Sequence, residues 1–122
     1  MMKQYQVNRA YNVMAKLGQY SLPVRVAHDL YMLRCALEPH YKFAAERDRN
    51  LLKKYDGQIG KDGQPVFDTE EKASDFYNEL AAGNNLEIDL SWDVISIPYS
   101  AMDGCKLTLD DVAALDGLVV FE

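Results

Sequence analysis

With 122 residues, 48% of them apolar and 26% charged, the chain has the make-up of a single domain, 1–122, and not of a disordered or fibrous protein. Cys35 and Cys105 are too few for a disulfide framework or a zinc site, no apolar run nears the roughly 20 residues of a membrane span, and Met1-Met2-Lys3-Gln4-Tyr5-Gln6 is no signal peptide. The net charge of −6 argues against nucleic-acid binding by bulk electrostatics, so the expectation is a protein of a reducing compartment with no membrane or nucleic-acid partner.

Lys3, Tyr5 and Val7 alternate with Gln4 and Gln6 and predict a short opening strand. Asn8 then reads as the N-cap of a helix over Arg9–Leu17, closed by Gly18, with Ala10, Val13, Met14 and Leu17 as its buried stripe. Ser21 or Leu22 caps the next helix, and Pro23 suits its first turn. That second helix runs from about Pro23 to Tyr55. Val26, Leu30, Leu33, Leu37, Tyr41, Ala44 and Leu51 keep one stripe, and Val24, Ala27, Tyr31 and Cys35 widen it, so the first half is expected to be buried on most sides. Unbroken, it would be about 50 Å long. Pro39 removes a hydrogen bond and clashes with the Cys35 carbonyl, which predicts a kink and two arms.

Asp56-Gly57 ends the helix, and Gln58–Gly60 with Gln64–Phe67 form a hairpin around Lys61-Asp62-Gly63. Asp68 or Thr69 caps a third helix over Glu70–Ala82, stopped by Gly83-Asn84-Asn85. From Leu86 to Val94 the period is two, and near Asp93 the phase slips by one residue, so Ile95, Ile97 and Tyr99 carry the apolar face after a bulge or turn. Thr108 and Asp111 match a capping box for a short helix over Leu109–Leu115, and Leu118–Phe121 reads as a terminal strand. The fold class is therefore α+β: an N-terminal helical hairpin with a long, Pro-kinked second helix, then small antiparallel β elements and short helices.

Charge is segregated along the chain. Residues 1–55 hold ten Lys/Arg against four Asp/Glu, and residues 56–122 hold three against fifteen. The mainly helical part, 1–57, is thus basic and the mixed part, 58–122, acidic. This layout predicts halves that neutralise each other within the chain, head-to-tail contact between copies, or separate partner surfaces.

The chemistry-bearing residues form no catalytic pattern. His28 and His40 are twelve apart with a proline between them, and His28, Met32 and Cys35 share one face, which reads as packed interior. Neither cysteine has a base and orienting partner in its pattern. Asp56–Phe67 resembles a calcium loop only faintly: Gly60 and Lys61 take its fifth and sixth positions, and Phe67 stands where a bidentate Glu belongs. Paired carboxylates sit where helix N-termini and exposed strand faces favour acid. Catalytic, cofactor and metal residues are expected to be none. The candidate interaction surface is the basic distal arm of the second helix, comprising Tyr41, Phe43, Arg47, Arg49, Leu51, Lys53, Lys54 and Tyr55, and the eight tyrosines suit half-dry interfaces.

Leu17 with Leu22-Pro23-Val24-Arg25-Val26, then Leu37-Glu38-Pro39, Glu46-Arg47, Leu52-Lys53-Lys54-Tyr55, Asp62-Gly63 and Glu87-Ile88-Asp89 follow one another across most of residues 10–115. This succession resembles a group of short phage and prophage proteins of unknown function from Gram-positive bacteria. The resemblance implies a phage or prophage origin, in the host cytoplasm or the virion, and no catalytic residues. The expected function is a non-enzymatic structural or assembly-related component that docks on a protein partner or self-associates, a dimer being favoured. The alternative is an acidic host-factor inhibitor whose residues 56–122 mimic nucleic-acid charge.

Overall fold

In a computed structural model describing residues 2–122, the buried stripe of the first helix begins at a polar residue. Helix α1 spans Gln4–Leu17 and buries Gln4, Val7, Ala10, Val13, Met14 and Leu17. Gln4 is tolerated inside because its amide nitrogen donates to Asn8 Oδ1 (2.9 Å) and to the His40 carbonyl (3.2 Å). The expected start at Arg9 is thus corrected. The Gln6 side chain accepts from the Lys3 N–H (2.8 Å), and Asn8 lies inside the helix, so it caps nothing. Only Met2–Lys3 remains as a strand, β1.

Helix α2 spans Val24–Lys54, 31 residues, with Pro23 itself at the N-cap. At 1.5 Å per residue it is about 46 Å long. It passes through Pro39 as one uninterrupted element, so the two expected arms belong to a single helix. Pro39 and Cys35 are both exposed. Water can therefore serve the carbonyl that the missing N–H leaves free. One side of this long helix is covered by its own chain: Val26, Leu30, Leu33 and Leu37 join α1 in the core, while Ala44 and Leu51 are buried further along. The expectation of burial on most sides is overturned, because Val24, Ala27, His28, Tyr31, Met32 and Cys35 are exposed.

Beyond α2, Asp56 takes φ 55° and turns the chain into β2 (Gln58–Ile59) and β3 (Pro65–Val66). They pair antiparallel, Gln58 with Val66 and Ile59 with Pro65, around a loop in which Gly63 adopts φ 79°. Helix α3, Glu70–Asn84, is capped by Thr69, one of the two caps expected, and not by Asp68; the Thr69 hydroxyl accepts from the Lys72 N–H (3.2 Å). It runs through Gly83, where the Arg47 side chain of α2 crosses so closely that a Cβ would stand 2.7 Å from the guanidinium carbon.

Only Glu87–Ile88 of the long alternating segment is strand (β4), pairing antiparallel with β1: Met2 faces Ile88 and Lys3 faces Glu87. The phase slip is a turn: Ser91 takes φ 50°, and its N–H bonds to Asp89 Oδ1 (3.0 Å). Strand β5, Ile95–Ile97, then pairs with β6, Val119–Phe121, in parallel, which corrects the expectation of antiparallel pieces throughout. The crossover between them carries a 3-10 turn at Tyr99–Met102 and helix α4, Leu109–Ala114. The capping box of α4 is formed: Thr108 Oγ1 accepts from the Asp111 N–H (3.1 Å), and Asp111 Oδ2 accepts from the Thr108 N–H (3.0 Å). The fold is α+β. One core cluster joins α1, the first half of α2 and the segment Ile97 to Val119, with Val7, Leu33, Leu37, Ile97, Leu115 and Leu118 almost wholly enclosed.

Candidate protein-interaction surfaces

The eight residues expected to form one basic arm are distributed over two sides of α2. Leu51 is buried and Tyr41 half-buried, its ring 4.3 Å from that of Tyr11 on α1. Arg47 is half-buried over Gly83. Lys54 pairs with Glu79 of α3 at 2.8 Å, and the Tyr55 hydroxyl donates to the same Glu79 oxygen. The Lys54 ammonium, then the Tyr55 hydroxyl, hold the Glu79 carboxyl below its ordinary range. Phe43, Arg49 and Lys53 are left facing solvent. The sequence cluster is thus divided between an internal seam with α1 and α3 and an outer face.

The halves do neutralise each other in part. Lys16 of α1 donates to both Asp111 oxygens at 2.8 Å, and Lys54 reaches Glu79; each ion pair joins the basic half to the acidic half. The Lys16 ammonium, with help from the Thr108 N–H, keeps the largely buried Asp111 carboxyl below its ordinary range. Lys42–Glu38, Arg47–Asp48 and Lys72 with Asp56 and Asp68 pair within a half.

A cleft lies beside the Lys16–Asp111 pair, and a second adjoins it through Met2, Gln6 and Asp116. The first, ≈ 570 Å³, runs between α1 and α4, with Arg9, Asn12 and Lys16 on one wall and Asp110, Asp111 and Asp116 on the other. The second, ≈ 580 Å³, opens between Trp92, Asp89, Asp93 and Asp116. Among the described residues no group of three His, Cys, Asp or Glu side chains is placed to hold a metal ion. No helix among them is long and apolar enough to cross a membrane.

The sequence reading missed the outer face of α2. Val24 (86% exposed), Tyr31 (59%), Met32 (46%) and Phe43 (68%) share it with Cys35 and Pro39. At 100° per residue these six fall within about 120° of arc, opposite Val26, Leu30, Leu33 and Leu37. The adjacent Cys35 thiol, first among its neighbours, raises the Tyr31 hydroxyl above its ordinary pKa. The signal was present in the sequence as a second stripe of the same period.

Compared with known protein families, curated proteins and solved structures, the chain finds no match. Its surfaces are therefore read from their chemistry.

Proposed function

We propose that this chain is a non-enzymatic interaction protein of phage or prophage origin, structural or assembly-related, acting in the host cytoplasm or the virion. The observation that carries the interaction reading is the grouping of exposed large apolar side chains; the phage or prophage origin rests on the sequence resemblance. They stand on the outer face of α2, on the hairpin and α3 (Ile59, Val66, Tyr77), around β4, β5 and β6 (Leu86, Val94, Tyr99, Val120) and on α4 (Leu109, Val112). Scattered apolar residues are ordinary on a monomer's surface, whereas grouped ones rimmed by charge suit contact with another protein. Pairwise binding of the purified chain to each product of its neighbouring genes tests the reading. Saturable binding to a virion or assembly protein is expected, and binding to none of them, with no self-association, overturns it.

A second reading, an acidic inhibitor that occupies a host factor's nucleic-acid site, draws on one observation. Asp89, Asp93, Asp110 and Asp116 gather around the two adjoining clefts. Under that reading, DNA competes with the chain for its partner and Asp93→Asn with Asp116→Asn weakens binding. Arg9 and Lys16 on the facing wall weaken the mimicry, which is why the first reading is preferred.

A further inference from the structure

We infer that the outer face of α2 is the seat of a symmetric dimer, in which α2 of one copy packs antiparallel on α2 of a second copy with Cys35 beside the two-fold axis. The inference deepens the interaction reading above and rests on it. From Val24 to Phe43 the face is about 30 Å long. Its centre is occupied by Tyr31, Met32, Cys35 and Pro39, all exposed. Phe43 and Val24 stand at its two ends and are more exposed than Tyr31 and Met32 between them.

The charges along α2 select the occupant and its direction. A parallel, in-register pair would set every charge level with its like, Arg25 on Arg25 and Lys42 on Lys42. An antiparallel pair with its axis between Cys35 and Ala36 sets Arg25 level with Glu46 of the second copy, both exposed and both within the arc of the face. Two residues' slippage toward the N-terminus, with the axis between Leu33 and Arg34, would instead bring Arg25 level with Lys42, like charges on the same face. The face is therefore complementary to itself in one direction and close to one register, which an isologous interface requires. In that register Met32 sits level with Pro39 of the second copy, and His28 sits level with Phe43. The two Cys35 residues lie about 1.5 Å apart along the helix axis. Helix axes about 8–10 Å apart, with Cα atoms on a radius of about 2.3 Å, bring the facing Cα atoms within disulfide-forming distance.

A face about 30 Å by 10–12 Å is small beside the ~800 Å² per partner of a standard interface. The dimer is thus expected to exchange and to depend on concentration. Because its contact is mainly apolar, raising the ionic strength from 0.1 M to 1 M, which shortens the Debye length from ~10 to ~3 Å, should leave it largely intact.

The test uses the full chain. Sedimentation from micromolar to several hundred micromolar protein is expected to show a monomer–dimer equilibrium. Met32→Glu and Phe43→Glu, both at exposed positions, should each weaken it about tenfold or more, with circular dichroism unchanged. A Cys105→Ser chain should give a covalent dimer under mild oxidation through Cys35, and Cys35→Ser should abolish it. A dimer that ignores both Glu variants and does not cross-link through Cys35 overturns this interface while the interaction reading stands. A monomer throughout overturns the dimer, and the α2 face then belongs to a different protein if the gene-neighbour panel yields one. A monomer with no binding in that panel removes both.

Discussion

The two ends of α2 are held by different physics. Its first half lies in a closed apolar core with α1 and the segment Ile97–Val119, where Leu33, Leu37 and Ile97 have no accessible surface. Its second half packs on α3 through a thinner contact: Ala44, Leu51 and Phe76 are buried, Phe67 lies 4.9 Å from Phe76, and Lys54–Glu79 and Lys72–Asp56 close the outside. Exposed ion pairs contribute little. One continuous helix therefore joins a well-buried region to a lightly buried one, and stability should differ along its length.

The sharpest way to break the comparison is at the two buried sets. Leu37→Ala should cost about 2–5 kcal/mol and lower the midpoint of global unfolding in urea. Phe76→Ala removes a side chain of comparable value, yet its effect should be confined to residues 44–84, seen as faster amide hydrogen exchange there with the α1 amides unchanged. Equal loss of protection in both regions would show that the molecule opens as one unit.

Pro39 lies at the boundary and gives the next largest effect. Restoring a backbone donor with Pro39→Ala should stabilise the chain by about 1–3 kcal/mol and slow exchange near Cys35. Destabilisation would mean that the proline's ring contacts or its restriction of the unfolded chain outweigh the lost hydrogen bond.

Gly83→Ala probes the seam itself. Alanine gains up to about 1 kcal/mol over glycine in a helix, but its Cβ would meet the Arg47 guanidinium at 2.7 Å. The flexible Arg47 side chain can swing aside, so the gain should appear in the native chain less what the guanidinium loses on moving, a difference read from a double-mutant cycle with Arg47→Ala.

The smallest effect concerns acid. The Asp111 and Glu79 carboxyls titrate below their ordinary range, Asp111 because of Lys16 and Glu79 because of Lys54. Their contribution to stability is present in full above the unfolded-state carboxylate pKa of about 4 and fades as the pH falls through the lowered folded values. Asp111→Asn keeps the cap's acceptor while losing the charge, so it should flatten the acid limb of a stability–pH profile at the α1–α4 contact. Glu79→Gln should do the same for the α2–α3 seam.

What was legible in the sequence was local. The Thr108–Asp111 box, the Thr69 cap and the turn at Asp62-Gly63 are each decided by residues within a few positions of one another, and all three form. The start of α1 was not legible, because the first buried position of its stripe is Gln4, whose burial depends on a carbonyl 36 residues away. The parallel pairing of β5 with β6 was hidden for the same reason, since strand direction is set by a crossover and leaves no mark on either strand. On α2 the difficulty was different. Two apolar stripes of one period run along opposite faces, and periodicity alone cannot say which of them meets the core. Reading both as interior placed His28 and Cys35 inside and put the candidate surface on the distal arm, where Leu51 and Tyr41 turn inward.

The pairing of residues 2–3 with 87–88, and of Lys16 with Asp111, bears on the order in which the molecule assembles. These contacts close loops of some 80 to 95 residues, whereas Lys54–Glu79 and Arg47 over Gly83 close loops of about 25 to 36. Loop closure favours the short ones, and α1 on α2 is just as local, with Tyr11–Glu38 and Gln4–His40 closing loops of 27 and 36 residues, so the helical hairpin and the α2–α3 seam should both form early and the chain's first strand should find its place last. Helix α2 would then be the template for both, and β1 and α4 the last pieces added.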